Sequence, residues 1–266
     1  MGLLDTFYTE MEAHSDMIGI VRSYRDIEDN WRKGRMSALL TIEEGGVCQG
    51  SLRFLRDFYR LGVRMMTLTW NFPNELGFPN KRERREDGTT YLVPDQSNGL
   101  TGTGIEFVEE MERLGMIIDV SHLNDAGIWD VFRHTKKPFV ASHSNARAVA
   151  SHPRNMTDDM IRELADRGGV MGINYYTCFL RDFCQDEAPV SRVSYMVEHM
   201  KHIRNVGGIG CLGLGSDFDG IECELEMKDA SMVPMLADAM KREGFSQSEI
   251  EAVFYKNVLR VYREIL

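Results

Sequence analysis

Three things are missing from this 266-residue chain, and each absence excludes a class of function. No apolar run approaches the ~18 residues of a membrane span, and residues 1–30 hold no signal-peptide-like hydrophobic stretch. There is no basic excess: 41 Asp and Glu stand against 31 Lys and Arg, a net charge of −10. That balance argues against nucleic acid or an anionic membrane as a partner. The five cysteines (Cys48, Cys178, Cys184, Cys211 and Cys223) form no CxxC pair and are odd in number. Reduced thiols in a cytoplasmic protein are therefore expected rather than a disulfide framework. Repeats, low-complexity tracts and interdomain linkers are also lacking. The length suits one domain, residues 1–266, with room for a large core.

What is present is an alternation of short apolar runs and amphipathic segments. Six apolar or β-branched runs fall at roughly 36–43, 63–69, 116–122, 138–143, 169–175 and 210–216. Between them, Ser51–Leu61 carries Leu52, Leu55, Phe58 and Tyr59 at helical spacing, and Gly104–Leu114 carries Ile105, Val108, Met111 and Leu114. Asn124–Thr135, Thr157–Arg167 and Val190–Val206 continue the series, with Thr157 an N-cap ahead of Asp158 and Asp159. Two helices close the chain at about 230–243 and 246–264, and Gly2 to Arg32 reads as mostly helical. Strands separated by helices imply parallel pairing through right-handed crossovers. The fold class is therefore α/β. A closed TIM-type (β/α)8 barrel needs eight strands, so about six imply either a barrel lacking two N-terminal strands or a smaller open sheet. The longest interruption, 71–103, follows a strand end and reads as a loop over the catalytic face.

Four of the runs end in metal-competent residues: Glu43, His122, His143 and Asp217. In a parallel barrel all strand C-termini open onto one face, so these side chains converge. Such donors suit zinc and the activation of water. Glu43 follows directly from its strand; Glu44 is the alternative if the register is off by one, with Gly45-Gly46 turning the chain after either. Asp217 suits a general acid or base, and Asp219 reads as a turn residue. Arg154, on the loop after the His143 strand, suits bidentate capture of a substrate carboxylate, the alternative being a surface arginine. Among the other histidines, His134 near a helix C-terminus and the pair His199 and His202 read as surface residues, while His152 is open to either reading. His14-Ser15-Asp16 has the His-x-Asp form of a binuclear zinc site but lies in a helical stretch, where positions two apart face different ways.

At these residues the chain resembles the membrane (renal) dipeptidase family, zinc peptidases built on a metal-dependent-hydrolase barrel. The matching stretches are LLTIEEGG, LGVRMMTLTWN, LGMIIDVSHL, PFVASHSNARAVASHPRNM, GGVMGINYY and GLGSDFDG, running from about Met36 to the C-terminus. The resemblance implies a glutamate bridging two zinc ions at Glu43 and the remaining ligands of the second zinc at His122 and His143. It further implies a carboxylate-holding arginine at Arg154 and proton transfer by Asp217. A water between the metals would attack the peptide bond of a dipeptide, often one with a D-residue in second place.

Two departures qualify the expectation. Trp70 stands where the family has a substrate-contacting histidine. The family's opening His-x-Asp strand, and the strand after it, have no counterpart. One zinc site is therefore expected here, with weak or absent dipeptidase activity, and open barrel edges are expected to favour a homodimer. The alternatives are a non-catalytic barrel remnant and a mononuclear amidohydrolase acting on another small amide.

Overall fold

Runs of β-branched and apolar residues too short for helices form strands, and the amphipathic segments between them form the crossovers. The structure, a computed structural model, describes residues 1–182 and 189–266. The chain opens with α1 (Gly2–Ala13), β1 (Ile18–Val21), α2 (Tyr24–Arg32), β2 (Met36–Leu39) and β3 (Thr41–Glu43), then α3 (Leu52–Arg60) and β4 (Met65–Thr67). A hairpin of β5 (Lys81–Arg84) and β6 (Thr90–Val93) precedes α4 (Gly102–Leu114), β7 (Ile117–Asp119) and α5 (Asp125–His134). Next come β8 (Val140–Ala141), α6 (Asp158–Asp166), β9 (Val170–Asn174), the short α7 (Thr177–Leu180) and β10 (Val190–Ser191). The chain closes with α8 (Val193–Gly207), β11 (Leu212–Ser216), β12 (Glu224–Leu225), α9 (Pro234–Arg242), α10 (Gln247–Glu251) and α11 (Asn257–Ile265).

Each of the six expected runs contributes a strand to one sheet of order β11-β9-β8-β7-β4-β3, in which every pairing is parallel; the run 36–43 does so only through β3, its first half forming β2 outside that sheet. Neighbours in the sheet are neighbours in the chain, the arrangement of a β/α barrel. The edge strands β3 and β11 are not hydrogen-bonded to each other.

Three local expectations change. Gly2 to Arg32 is not helical throughout: Ile18–Val21 forms β1 and pairs in parallel with β2 outside the main sheet. Four β-branched and small residues between two longer helices are too brief to override a helical pattern read over a wider window. His14 and Asp16 consequently lie in the turn before β1, both exposed, rather than in a helix. The 71–103 interruption is also more than a loop, since β5 and β6 form an antiparallel hairpin within it.

Period-two alternation in the strands decides what lies on each face. Met65, Ile117, Val140 and Val170 meet Val261 and Ile265 of α11 in one apolar cluster. Two residues further along the same strands, on the same face, come Thr67, Asp119 and Ser142. The opposite face supplies Met66, Ile118, Ala141 and Met171 to the main core. Close backbone approach lets the layers form. A Cβ at Gly172 or at Gly215 would run into the Ser142 carbonyl, so glycine at both positions allows β9 and β11 to lie against the strand that carries His143. Thr157 caps α6 by accepting from the Met160 N–H at 3.3 Å, as its sequence predicts.

Candidate metal centre

Strand geometry delivers Glu43, His122 and His143 to one place. Glu43 ends β3; His122 and His143 follow β7 and β8 by a few residues, all at the same end of the sheet. Their ligand atoms lie within 4.8 Å of one another. The Glu43 Oε1 is 3.1 Å from His122 Nε2 and 3.5 Å from His143 Nε2. Both imidazoles are buried, and His143 Nε2 has no hydrogen-bond partner among the described residues. Burial, reinforced by the nearby Arg154 charge, pushes the His122 imidazolium down to about 2. Burial also lowers His143. Two neutral imidazoles and one carboxylate, with an unpartnered nitrogen aimed at the carboxylate, form a donor set that fits a divalent ion of zinc's class.

A polar layer beneath the rim orients His143. Its Nδ1 lies 2.7 Å from Ser142 Oγ, which in turn donates to Asp119 Oδ2 at 2.6 Å. Because the Ser142 hydroxyl proton goes to Asp119, Nδ1–H donates to Ser142 and the lone pair is left on Nε2. Asp119 also accepts from Thr67 Oγ1 and from the Ser121 and Ser142 N–H groups. Burial alone would raise its carboxyl, but the neighbouring His143 and these donors hold it below the usual range. A second serine, Ser121, accepts from the His143 N–H at 3.0 Å and lies 3.2 Å from Ser142. The repeated Ser-His of 121–122 and 142–143 was the sequence signal for this layer, and it was missed.

Backbone strain concentrates here. Glu44, His122, Ser216 and Asp217 all have positive φ, at 103°, 72°, 46° and 71°, and together they account for four of the five such non-glycine residues described. Positions of this kind cost of order 1–3 kcal/mol each and gather at functional sites.

The other expected residues line the same cleft, a cavity of about 730 Å³. Asp217 accepts from Asn174 Nδ2 at 2.9 Å, and burial raises its carboxyl. Arg154 places Nη1 2.8 Å from His122 Nδ1, while its Nε and Nη2 are buried without partners among the described residues. Burial lowers its guanidinium to about 10. Asn71 Oδ1, not anticipated from the sequence, lies 2.9 Å from the same Nδ1. Trp70, 40% exposed, forms a wall with Phe72 at 5.7 Å between ring centroids. Glu44 lies on the cleft too, but its carboxylate is taken up by the Gly46 N–H at 2.9 Å and Asn74 Nδ2 at 2.7 Å.

One histidine reading is corrected. His199 is fully buried, not a surface residue: its Nδ1 accepts from the Ala146 N–H at 3.1 Å and its Nε2 sits 2.9 Å from the Leu180 carbonyl. It ties α8 to the loop after His143. His202 bonds Asp158 at 2.7 Å and is only partly exposed. His152 Nδ1 accepts from the Arg154 N–H at 3.2 Å.

The model of the membrane dipeptidase family (Peptidase family M19) matches residues 2–266. The chain belongs to this family. A Klebsiella pneumoniae relative, described as an uncharacterised protein in the pqqA 5′ region, is 35% identical over 260 residues, covering 96% of this chain and 92% of the relative. Dipeptidase verJ of Clonostachys rogersoniana is 33% identical over 262 residues; the match covers 98% of this chain and 63% of that protein, less than two thirds of its length. The solved metallo peptidase of Rhodobacter sphaeroides, liganded with a phosphinate mimic of L-Ala-D-Ala, superposes with a TM-score of 0.87 at 27% identity, over 98% of this chain and 72% of that one. The α/β barrel class read from the sequence is thus the fold that the chain shares with this solved relative. Its four described cysteines outside 183–188 are unpaired; Cys184 lies outside the described residues. No described helix is long and apolar enough to cross a membrane.

Proposed function

We propose that the chain hydrolyses dipeptides at this cleft with a zinc ion held by Glu43, His122 and His143. The observation that carries the reading is the convergence of these three ligand atoms within 4.8 Å in the cleft that also holds Arg154 and Asp217. A bound zinc supplies a Lewis acid and a water of lowered pKa. The residues of the chain do the rest. Arg154, with two guanidinium nitrogens unpartnered among the described residues, pairs with the substrate's terminal carboxylate. Asp217, its Oδ2 fixed by Asn174, takes a proton from the attacking water and passes it to the leaving amine. Its raised carboxyl suits it to both halves of that transfer. Trp70 and Phe72 wall the cleft and limit water around the substrate.

Among the described residues this is the one cluster of three metal-competent donors, so one metal per chain is proposed. Without a two-metal clamp the turnover should fall below the ~10 s⁻¹ common for enzymes. Elemental mass spectrometry of the purified chain tests the site. About one zinc per chain, lost in His143→Ala, supports it; a chain that takes up no zinc even after zinc-loaded refolding overturns it.

A further inference from the structure

Beside the main cleft lies a second cavity of about 290 Å³ that shares Arg154, His122 and Asn71 with it, so the two adjoin at these residues. The β5–β6 hairpin forms part of its wall. Arg82 and Leu92 are directly paired across that hairpin and both face the cavity. The flanking side chains on the hairpin are already engaged: Lys81 lies 3.0 Å from Asp95, and Glu83 accepts from the Tyr91 hydroxyl at 2.9 Å. Arg82 makes no ion pair or side-chain hydrogen bond among the described residues. The buried Asn80 fixes the base of the hairpin by donating to the Pro153 carbonyl at 3.1 Å, which ties it to the Arg154 loop. Two arginines, Arg154 and Arg82, thus line one chamber, and Arg154 also lines the main cleft.

We propose that this side chamber receives the side chain of the substrate's C-terminal residue, and that Arg82 selects a carboxylate there. Dipeptides ending in Glu or Asp are then the favoured class. The inference rests on the dipeptidase reading, because Arg154 can orient the C-terminal residue only if it holds that residue's α-carboxylate. From that anchor, the side chain has the adjoining chamber to enter, and a guanidinium lining it is matched by a second carboxylate.

The test compares kcat/KM for Ala-Glu and Ala-Gln, with the second residue in each configuration, in the zinc-supplemented chain, Arg82→Gln and Arg82→Glu. A preference for Ala-Glu of about tenfold is expected, collapsing in Arg82→Gln and shifting toward Ala-Lys in Arg82→Glu. Hydrolysis without that preference, or a preference that Arg82→Gln leaves intact, overturns the inference while the dipeptidase reading stands. So does an Arg82-dependent preference for Glu-Ala over Gln-Ala, which would put the chamber at the other end of the substrate. If no dipeptide is cleaved, the dipeptidase reading fails separately, and calorimetric binding of free glutamate against glutamine decides the chamber. Tighter glutamate binding that Arg82→Gln abolishes supports it; equal binding overturns it.

Discussion

Asp119 and His143 are joined through a single hydroxyl: Ser142 Oγ donates to Asp119 Oδ2 at 2.6 Å and lies 2.7 Å from His143 Nδ1. The relationship fixes which nitrogen of His143 points at Glu43. Removing the hydroxyl frees the imidazole to rotate and change tautomer. Ser142→Ala should therefore weaken zinc binding by ~10-fold or more, as measured by competition with a chromogenic chelator, with Ser142→Thr restoring most of it. Unchanged affinity in Ser142→Ala would remove this bridge from the account.

Arg154 gives a prediction that separates binding from fold. Lysine keeps the charge but cannot form a fork on a carboxylate. Arg154→Lys should raise KM for a dipeptide by ~10-fold or more, a loss of about 1.4 kcal/mol or greater, with a smaller change in kcat. The corresponding dipeptide amide, which lacks the carboxylate, should be hydrolysed about equally by both proteins. Equal losses on both substrates would mean that Arg154 acts elsewhere.

His199 predicts a pH dependence of stability. Burial lowers its pKa to about 4, against ~6.5 in an unfolded chain. Between those values the unfolded state binds more protons than the folded one, so the contribution is complete above pH ~6.5 and is lost as pH falls toward 4. Urea midpoints should decline over that window by up to ~1.4 kcal/mol per pH unit from this residue. His199→Gln should be less stable at pH 7.5 by ~1–3 kcal/mol yet lose less on acidification, and an identical acid slope would sink the assignment.

Gly172 tests the packing under the site. A methyl group there meets the Ser142 carbonyl, so Gly172→Ala must push β8 and β9 apart. A cost of ~1–3 kcal/mol in thermal or chemical unfolding is expected, together with weaker zinc binding because Ser142 and His143 move with the strand. Ala at Gly210, where an added Cβ meets nothing within 4 Å, serves as the control.

Much of this molecule was legible in the residues themselves. The six sheet strands were visible because apolar, β-branched runs of strand length recur between amphipathic segments, and parallel topology places the end of every such run on one face. Glu43, His122, His143 and Asp217 were singled out that way, since polar residues at apolar strand ends stand out locally, and Arg154 from its place on the loop after the His143 strand; the structure brings all five to one end of the sheet. Ile18–Val21 did not stand out, being four residues between two helices, and the β5–β6 hairpin was hidden in a charged, proline-containing stretch. His199 was misread because helical spacing says which face a residue occupies but not what packs on that face.

Only the tertiary structure placed the Glu43 carboxylate, rather than that of Glu44, beside His122 and His143, because a one-residue step at a strand end reverses direction and the neighbours Gly46 and Asn74 claim the second carboxylate. It alone joined Asp119 at the end of β7 to Ser142 and His143 just after β8, a contact that depends on the register of the two strands. It alone brought Arg82 to the same chamber as Arg154, 72 positions later in the chain. Local chemistry is written along the chain, and which groups face one another depends on the packing of distant segments.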